Sequence, residues 1–208
     1  MTDYLKNPDA IYSLSFATIE AEADLSLVPA NARAIATRVI HACGMPDIVK
    51  NLVISPDFVP ATQQALADGG NILVDVEMVR HGIIDQLFPQ RDRIICTLND
   101  PRTRSLASAM ANTRSAAAVE LWRSHLAGSI VVIGNAPTAL FHLLDIIDAG
   151  APKPAAIVGF PVGFVGAAES KDHLIANSRG IPFIALRGRQ GGSAMAAAVI
   201  NALLGGNT

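Results

Sequence analysis

The chain has 208 residues, half of them apolar and 16% charged, with a formal net charge of −2. That length carries one domain with a full core and a pocket, spanning 1–208, and the composition excludes a disordered protein. The near-neutral, slightly acidic balance argues against general nucleic-acid binding.

Taken in chain order, the first pattern is helical. Pro8-Asp9 precedes AIYSLSFATIEAEADL, in which Ile11, Leu14 and Ile19 fall near helical spacing. A second helix is predicted from about Pro29 through ARAIATRVIHAC, with Ile35, Val39 and Cys43 four apart on one face. Gly44 suits the residue just past the helix end, and Pro46 forbids continuation.

Short β-like runs then alternate with helical ones. The predicted strands are Asn71–Val76, Arg93–Leu98, Ser129–Gly134, Ala155–Phe160 and Pro182–Arg187, with LVIS at Leu52–Ser55 as a further short candidate. They are continuously apolar, the pattern of strands buried on both faces. The helical stretches between them are FVPATQQALADG, one long run from Arg102 to Gly128, APTALFHLLDIIDAG, GAAESKDHLIANS and GGSAMAAAVINALL. This β-then-α order predicts a three-layer α/β/α sandwich of about five mostly parallel strands, with ligands bound beyond the strands' carboxyl ends.

Mean hydropathy is +0.36, yet the two longest uncharged stretches, Ala155–Ala168 and Gly191–Gly206, fall short of the roughly 20 apolar residues a membrane span needs. The first residues show no basic segment followed by an apolar run, so no secretory signal is expected. Two cysteines, Cys43 and Cys96, make neither a disulfide framework nor a zinc set, and a cytoplasmic location is the expectation.

Motifs for cofactors are weak. VVIGNAPTALFHLL reads as strand, turn and helix whose first N–H groups could hold an anion, but it has neither the Lys-Ser/Thr pair of a P-loop nor three spaced glycines. GGSAM lacks the second glycine of a nucleophile elbow. The five histidines have no paired spacing, so no metal site is expected, and His125 and His142 read as solvent-edge residues of amphipathic helices.

What remains is a set of polar groups in apolar surroundings: Ser15, Arg38, His41, Asn112, Arg114, Arg187, Arg189 and Ser193. Twelve of the 16 basic residues are Arg, the better residue for two-point contacts with carboxylates. Arg38 and His41 are three apart and share a helix face. A helix end favours imidazolium through its free carbonyls, while the Arg38 cation opposes it. On these grounds alone His41 is either a structural histidine or a proton carrier.

Several stretches together resemble the precorrin-8X methylmutase family: AIYSLSFATIEAEADL, RVIHACG, ISPDF, DVEMVRHGI, DPRT at Asp100–Thr103, NTRSAAAVELW, GNAPTALFHLL, PVGFVGAAESKD and RGRQGGSAM. They span almost the whole chain. The resemblance implies a flavodoxin-like sheet and an isomerase of cobalamin biosynthesis. That isomerase moves a methyl group from C-11 to C-12 of precorrin-8X, giving hydrogenobyrinate by a proton-assisted 1,5-sigmatropic shift. It implies no cofactor and no methyl donor.

His41, in the RxxHAxG position, is implied as the proton donor. Ser15 in the YxxSF segment and Arg114 in NTRS match positions that contact substrate, with Arg38 and Asn112 beside them. Arg187, Arg189 and Ser193 join the substrate-binding set by their place after a predicted strand. The family pattern also implies a homodimer with sites near the subunit interface, and hand-over of product to other cobalamin-pathway enzymes. The alternatives are a cobalt-precorrin-8 methylmutase of the anaerobic branch, a non-catalytic corrinoid carrier, and a flavodoxin-like nucleotide module.

Overall fold

The computed structural model of the chain describes residues 4–205. Six strands form one sheet: β1 (Leu52–Ile54), β2 (Ile72–Val74), β3 (Ile94–Ile95), β4 (Ile130–Ile133), β5 (Ala156–Gly159) and β6 (Phe183–Leu186). Their order is β1-β6-β5-β4-β2-β3. All neighbours pair in parallel except β1, which runs antiparallel against β6 with Leu52 opposite Leu186. The five parallel strands are the expected ones, in the doubly wound order of a flavodoxin-like sheet. The LVIS candidate is real and makes the sheet six-stranded.

Side chains of each central strand divide between two cores. Ile72, Val74, Ile130 and Val132 face one cluster, and Leu73, Val131 and Ile133 face the other. The helices that cover these faces are α1 (Pro8–Glu22), α2 (Arg33–Cys43), α3 (Phe58–Ala67), α4 (Glu77–Gly82), α5 (Pro101–Ala109), α6 (Arg114–Glu120), α7 (Pro137–Asp148), α8 (Ala167–Ala176) and α9 (Ser193–Leu203). On the first face α2 packs along α9, with Ile35, Val39, Val199 and Ile200 buried. On the second, α6, α7 and α8 bury Trp122, Leu140, Leu143 and Leu174.

Local signals explain most boundaries. Asn7 caps α1 by accepting from the Ala10 N–H at 3.0 Å, with Pro8 in the first turn. Gly44 ends α2 at φ +68°, a left-handed conformation that costs glycine nothing.

Four features differ from the reading of the sequence. The helix expected from Pro29 begins at Arg33, after a short 3₁₀ turn. The run expected as one helix from Arg102 to Gly128 is broken into α5, α6 and a 3₁₀ turn at Arg123–His125. Ala111 takes φ +48° at the break, and the Thr113 hydroxyl accepts from the Ala116 N–H at 3.2 Å, starting α6 afresh. The short helix α4 was not foreseen. His142 is not at the solvent edge: it is half-buried, with Nε2 2.9 Å from Oε1 of Glu120. Among the described residues, no helix is long and apolar enough to cross a membrane.

Candidate active site

α1 rests on α2, and its residues 12, 15, 16 and 19 lie on one face by helical spacing. Ile19 is buried there, whereas Ile11 and Leu14 lie off that face and stay exposed. The same face holds His41, two residues before the end of α2. Oγ of Ser15 lies 2.8 Å from Nδ1 of His41. The Tyr12 ring stacks on the imidazole at 5.5 Å between centroids, and the Phe16 ring meets it edge-on at 5.4 Å. The imidazole is therefore fixed on three sides by one helix, with its Nε2 atom left over. Tyr12 and Phe16 were not singled out in the sequence, although both stand in the YxxSF segment.

Beside this cluster is a cleft of about 240 Å³ whose lining includes Ser15, Ile19, Glu22, Ile40, His41 and Gly44. Burial first, and then the Arg38 cation one turn away, hold the His41 pKa below its ordinary 6.5. The opposing pull of the helix end does not prevail. Arg38 itself is 9% exposed.

The cluster lies at the carboxyl edge of the sheet. Asn51, just before antiparallel β1, accepts from the Arg187 N–H at 2.9 Å, immediately after β6. Gln190 Nε2 lies 3.6 Å from the Met45 sulfur, joining the turn after α2 to the loop after β6. That loop carries Arg187, exposed and paired with Asp172 at 3.3 Å, and Arg189, exposed with its guanidinium 5.4 Å from the Phe164 ring centroid. Ser193 starts α9, and its hydroxyl is buried without a hydrogen-bond partner.

Asn112 and Arg114 stand elsewhere on the same edge, beyond β3. Arg114 Nη2 donates to the Leu98 carbonyl at 2.9 Å and to Oδ1 of Asn99 at 3.0 Å, while Asn112 Oδ1 accepts from the Thr113 N–H at 2.7 Å. Both are exposed.

The topological switch point, between β2 and β4, is where nucleotide-binding sheets of this order hold phosphate. Here the protein fills it with its own anion. The Asp75 carboxylate accepts from the backbone N–H groups of Gly134, Asn135 and Ala136 at 2.8, 2.9 and 2.8 Å. Asp75 is 2% exposed; burial pushes its pKa up, against the pull of the three N–H bonds. The donors that the GNAP turn offers an anion are thus already used, which removes the basis of the nucleotide reading. Asp75 directly follows the ILV strand core, a position that sequence spacing alone did not mark. Among the described residues, no group of three or more His, Cys, Asp or Glu side chains could hold a metal ion.

The geometry presents a histidine clamped near the carboxyl edge of a doubly wound sheet and names no substrate. Comparison with known proteins supplies what geometry leaves open. The family profile of precorrin-8X methylmutase matches residues 10–205. The precorrin-8X methylmutase of Pseudomonas aeruginosa is 59% identical over 203 residues, covering 98% of each chain. A cobalt-precorrin-8 methylmutase of Methanothermobacter thermautotrophicus is 41% identical, over 86% of this chain and 82% of its own. A solved structure of the precorrin-8X methyl mutase from Thermus thermophilus superposes with a TM-score of 0.85 at 33% identity, covering 96% of both chains. The doubly wound sheet and the match over nearly all the chain agree: this chain belongs to the precorrin-8X methylmutase family.

Proposed function

We propose that this chain converts precorrin-8X to hydrogenobyrinate with His41 as its general acid. The reaction is an isomerisation within cobalamin biosynthesis, moving a methyl group from C-11 to C-12 of the ring. Substrate and product have the same atoms, so the enzyme must supply a proton transiently and take it back. Protonation at the ring edge makes the macrocycle electron-poor, the methyl group migrates, and loss of the proton regenerates the acid.

The observation that carries this reading is the Ser15–His41 contact inside the Tyr12 and Phe16 clamp. A serine hydroxyl both donates and accepts, so Ser15 can hold Nδ1 whether the imidazole is neutral or charged. Nε2 is then the atom that exchanges the proton. The lowered pKa of the free protein suits the cycle once substrate binds, because carboxylates brought near Arg38 offset its field and favour the imidazolium.

Carboxylates around the macrocycle call for guanidinium partners. Arg38, Arg114, Arg187 and Arg189, with Asn112, Ser15 and Ser193, form the proposed substrate-binding set. The greater identity to the relative named for the metal-free substrate supports precorrin-8X over its cobalt form.

A cleft of about 240 Å³ falls below the roughly 300–1,000 Å³ of small-molecule pockets, so one copy covers only part of a macrocycle. Ile11, Tyr12, Leu14, Phe164 and Val165 are exposed large apolar or aromatic side chains. Both facts support a homodimer in which a second copy completes the site. A product gripped by several guanidinium groups leaves slowly, which favours direct hand-over to the next enzyme. The free thiols of Cys43 and Cys96 fit a cytoplasmic protein, and the one sheet with a core on each face supports a single domain.

Incubation of the purified protein with precorrin-8X tests the reading: the hydrogenobyrinate absorption spectrum should develop. Binding without that spectral change would reject catalysis and leave a carrier.

A further inference from the structure

The loop after β6 is held from beneath by an unusual residue. Lys171, in α8, is 0% exposed, one of the largest fully buried side chains in the protein. Its Nζ donates to the backbone carbonyl of Gln190 at 2.6 Å. Burying an ammonium is costly, and here it lowers the Lys171 pKa to about 8. A buried methionine would fill similar space without that penalty. The charge is therefore retained for what it holds.

What it holds is a junction of two loops. Gly192 N–H donates to the Phe160 carbonyl at 2.9 Å, and Gly163 N–H donates to the Arg189 carbonyl at 3.2 Å. The Arg189 guanidinium lies over the Phe164 ring. Gly191 sits so close that an added Cβ would come 2.3 Å from the Phe160 carbonyl oxygen and 2.6 Å from that of Pro161. The Pro161–Gly166 and Arg187–Gly192 segments thus form one surface, and Gln190 joins it to Met45 beyond His41.

We propose that Lys171 is a positioning residue: it registers the Arg187–Gly192 loop against the Pro161–Gly166 loop and so sets the affinity for the anionic macrocycle. The proposal rests on the reading of Arg189 as a substrate contact for its kinetic part only; the loop register is tested without it. Lys171 never touches substrate. Its ammonium fixes the Gln190 carbonyl, that carbonyl fixes the backbone of Arg189, and the guanidinium is presented above an apolar ring.

The experiment uses Lys171→Met, Arg189→Ala and the double variant of the full chain. Trypsin cleavage at Arg187 and Arg189 reports loop register directly. Lys171→Met should speed cleavage there about tenfold, the effect of losing one charge-assisted bond. In turnover of precorrin-8X, Lys171→Met should raise KM about tenfold with kcat nearly unchanged, and Arg189→Ala should hide that effect in the double variant. Lys171→Arg, which keeps a charged donor, should recover part of the KM. Unchanged cleavage, a loss confined to kcat, or full additivity in the double variant would overturn the proposal. Should Lys171→Met fail to fold, Lys171→Gln, a neutral donor, is read by the same cleavage assay with the same outcomes. Absence of turnover by the unaltered protein would instead defeat the functional reading and leave the cleavage test standing.

Discussion

Ser15 and His41 are 26 residues apart in sequence and 2.8 Å apart in space, hydroxyl oxygen to Nδ1. The contact joins the first helix to the second and engages Nδ1 of the imidazole, the nitrogen that in the proposed mechanism does not exchange the proton. Removing the ring removes the acid: His41→Asn should lower turnover about a hundred- to ten-thousand-fold while binding of the coloured product persists. Ser15→Ala keeps the acid but frees its ring, and loss of about 1 kcal/mol should lower kcat roughly fivefold. Normal turnover by the first variant would refute the acid assignment.

The pH dependence has a defined sign. His41 must carry a proton to donate one, and burial with the Arg38 charge holds its pKa below 6.5 in the free protein. The value of kcat/KM should therefore fall as pH rises through that lowered pKa, and the limb for kcat should lie at higher pH because bound carboxylates offset Arg38. A kcat/KM limb centred above 6.5 would contradict this. The same shift links to stability: the unfolded chain takes the proton first as pH drops through 6.5, so His41 makes the fold less stable toward acid. Denaturant midpoints of the protein and of His41→Asn across that range measure the difference.

Arg114 is exposed and already directed by the Leu98 carbonyl and Asn99. Such pre-orientation suits a guanidinium awaiting a carboxylate. Arg114→Ala should weaken product binding by about 1.5–3 kcal/mol, read by titration of the coloured product. An unchanged dissociation constant would remove Arg114 from the site.

Asp75 makes a structural prediction. Asp75→Ala leaves three N–H groups at the start of α7 without their acceptor, at about 1–3 kcal/mol for each that stays buried. A fall of about 3 kcal/mol or more in unfolding free energy is expected from chemical denaturation. A fall below about 1 kcal/mol would mean that water replaces the carboxylate.

Sedimentation at micromolar concentration should show a dimer, and Leu14→Glu, on the outer face of α1, should shift it toward monomer. Only monomer for the unaltered chain would reject completion of the site by a second copy.

Much of this was legible in the chain. Continuous apolar runs identified each parallel strand, because a strand covered on both faces has no polar side to show. Gly44 and Pro46 marked the end of α2 because the freedom of the one and the restriction of the other act locally. The segment Arg102–Gly128 misled because alanine and leucine favour helix everywhere. The break depends on an alanine at positive φ that nothing local announces. His142 misled for a related reason: its partner Glu120 comes from another helix.

The sequence by itself determined the parallel strands and their helical cover, and through the family resemblance it pointed to the flavodoxin-like sheet and to His41. Those properties rest on local pattern and on residue types in fixed spacing. Only the tertiary structure decided what surrounds the histidine: Ser15, Tyr12 and Phe16 converge on it because α1 lies across α2. It also decided that Asp75 fills the anion site and that Lys171 holds the loop of Arg189. Each of these is a contact between distant segments, and its energy depends on burial, which no single stretch of chain specifies.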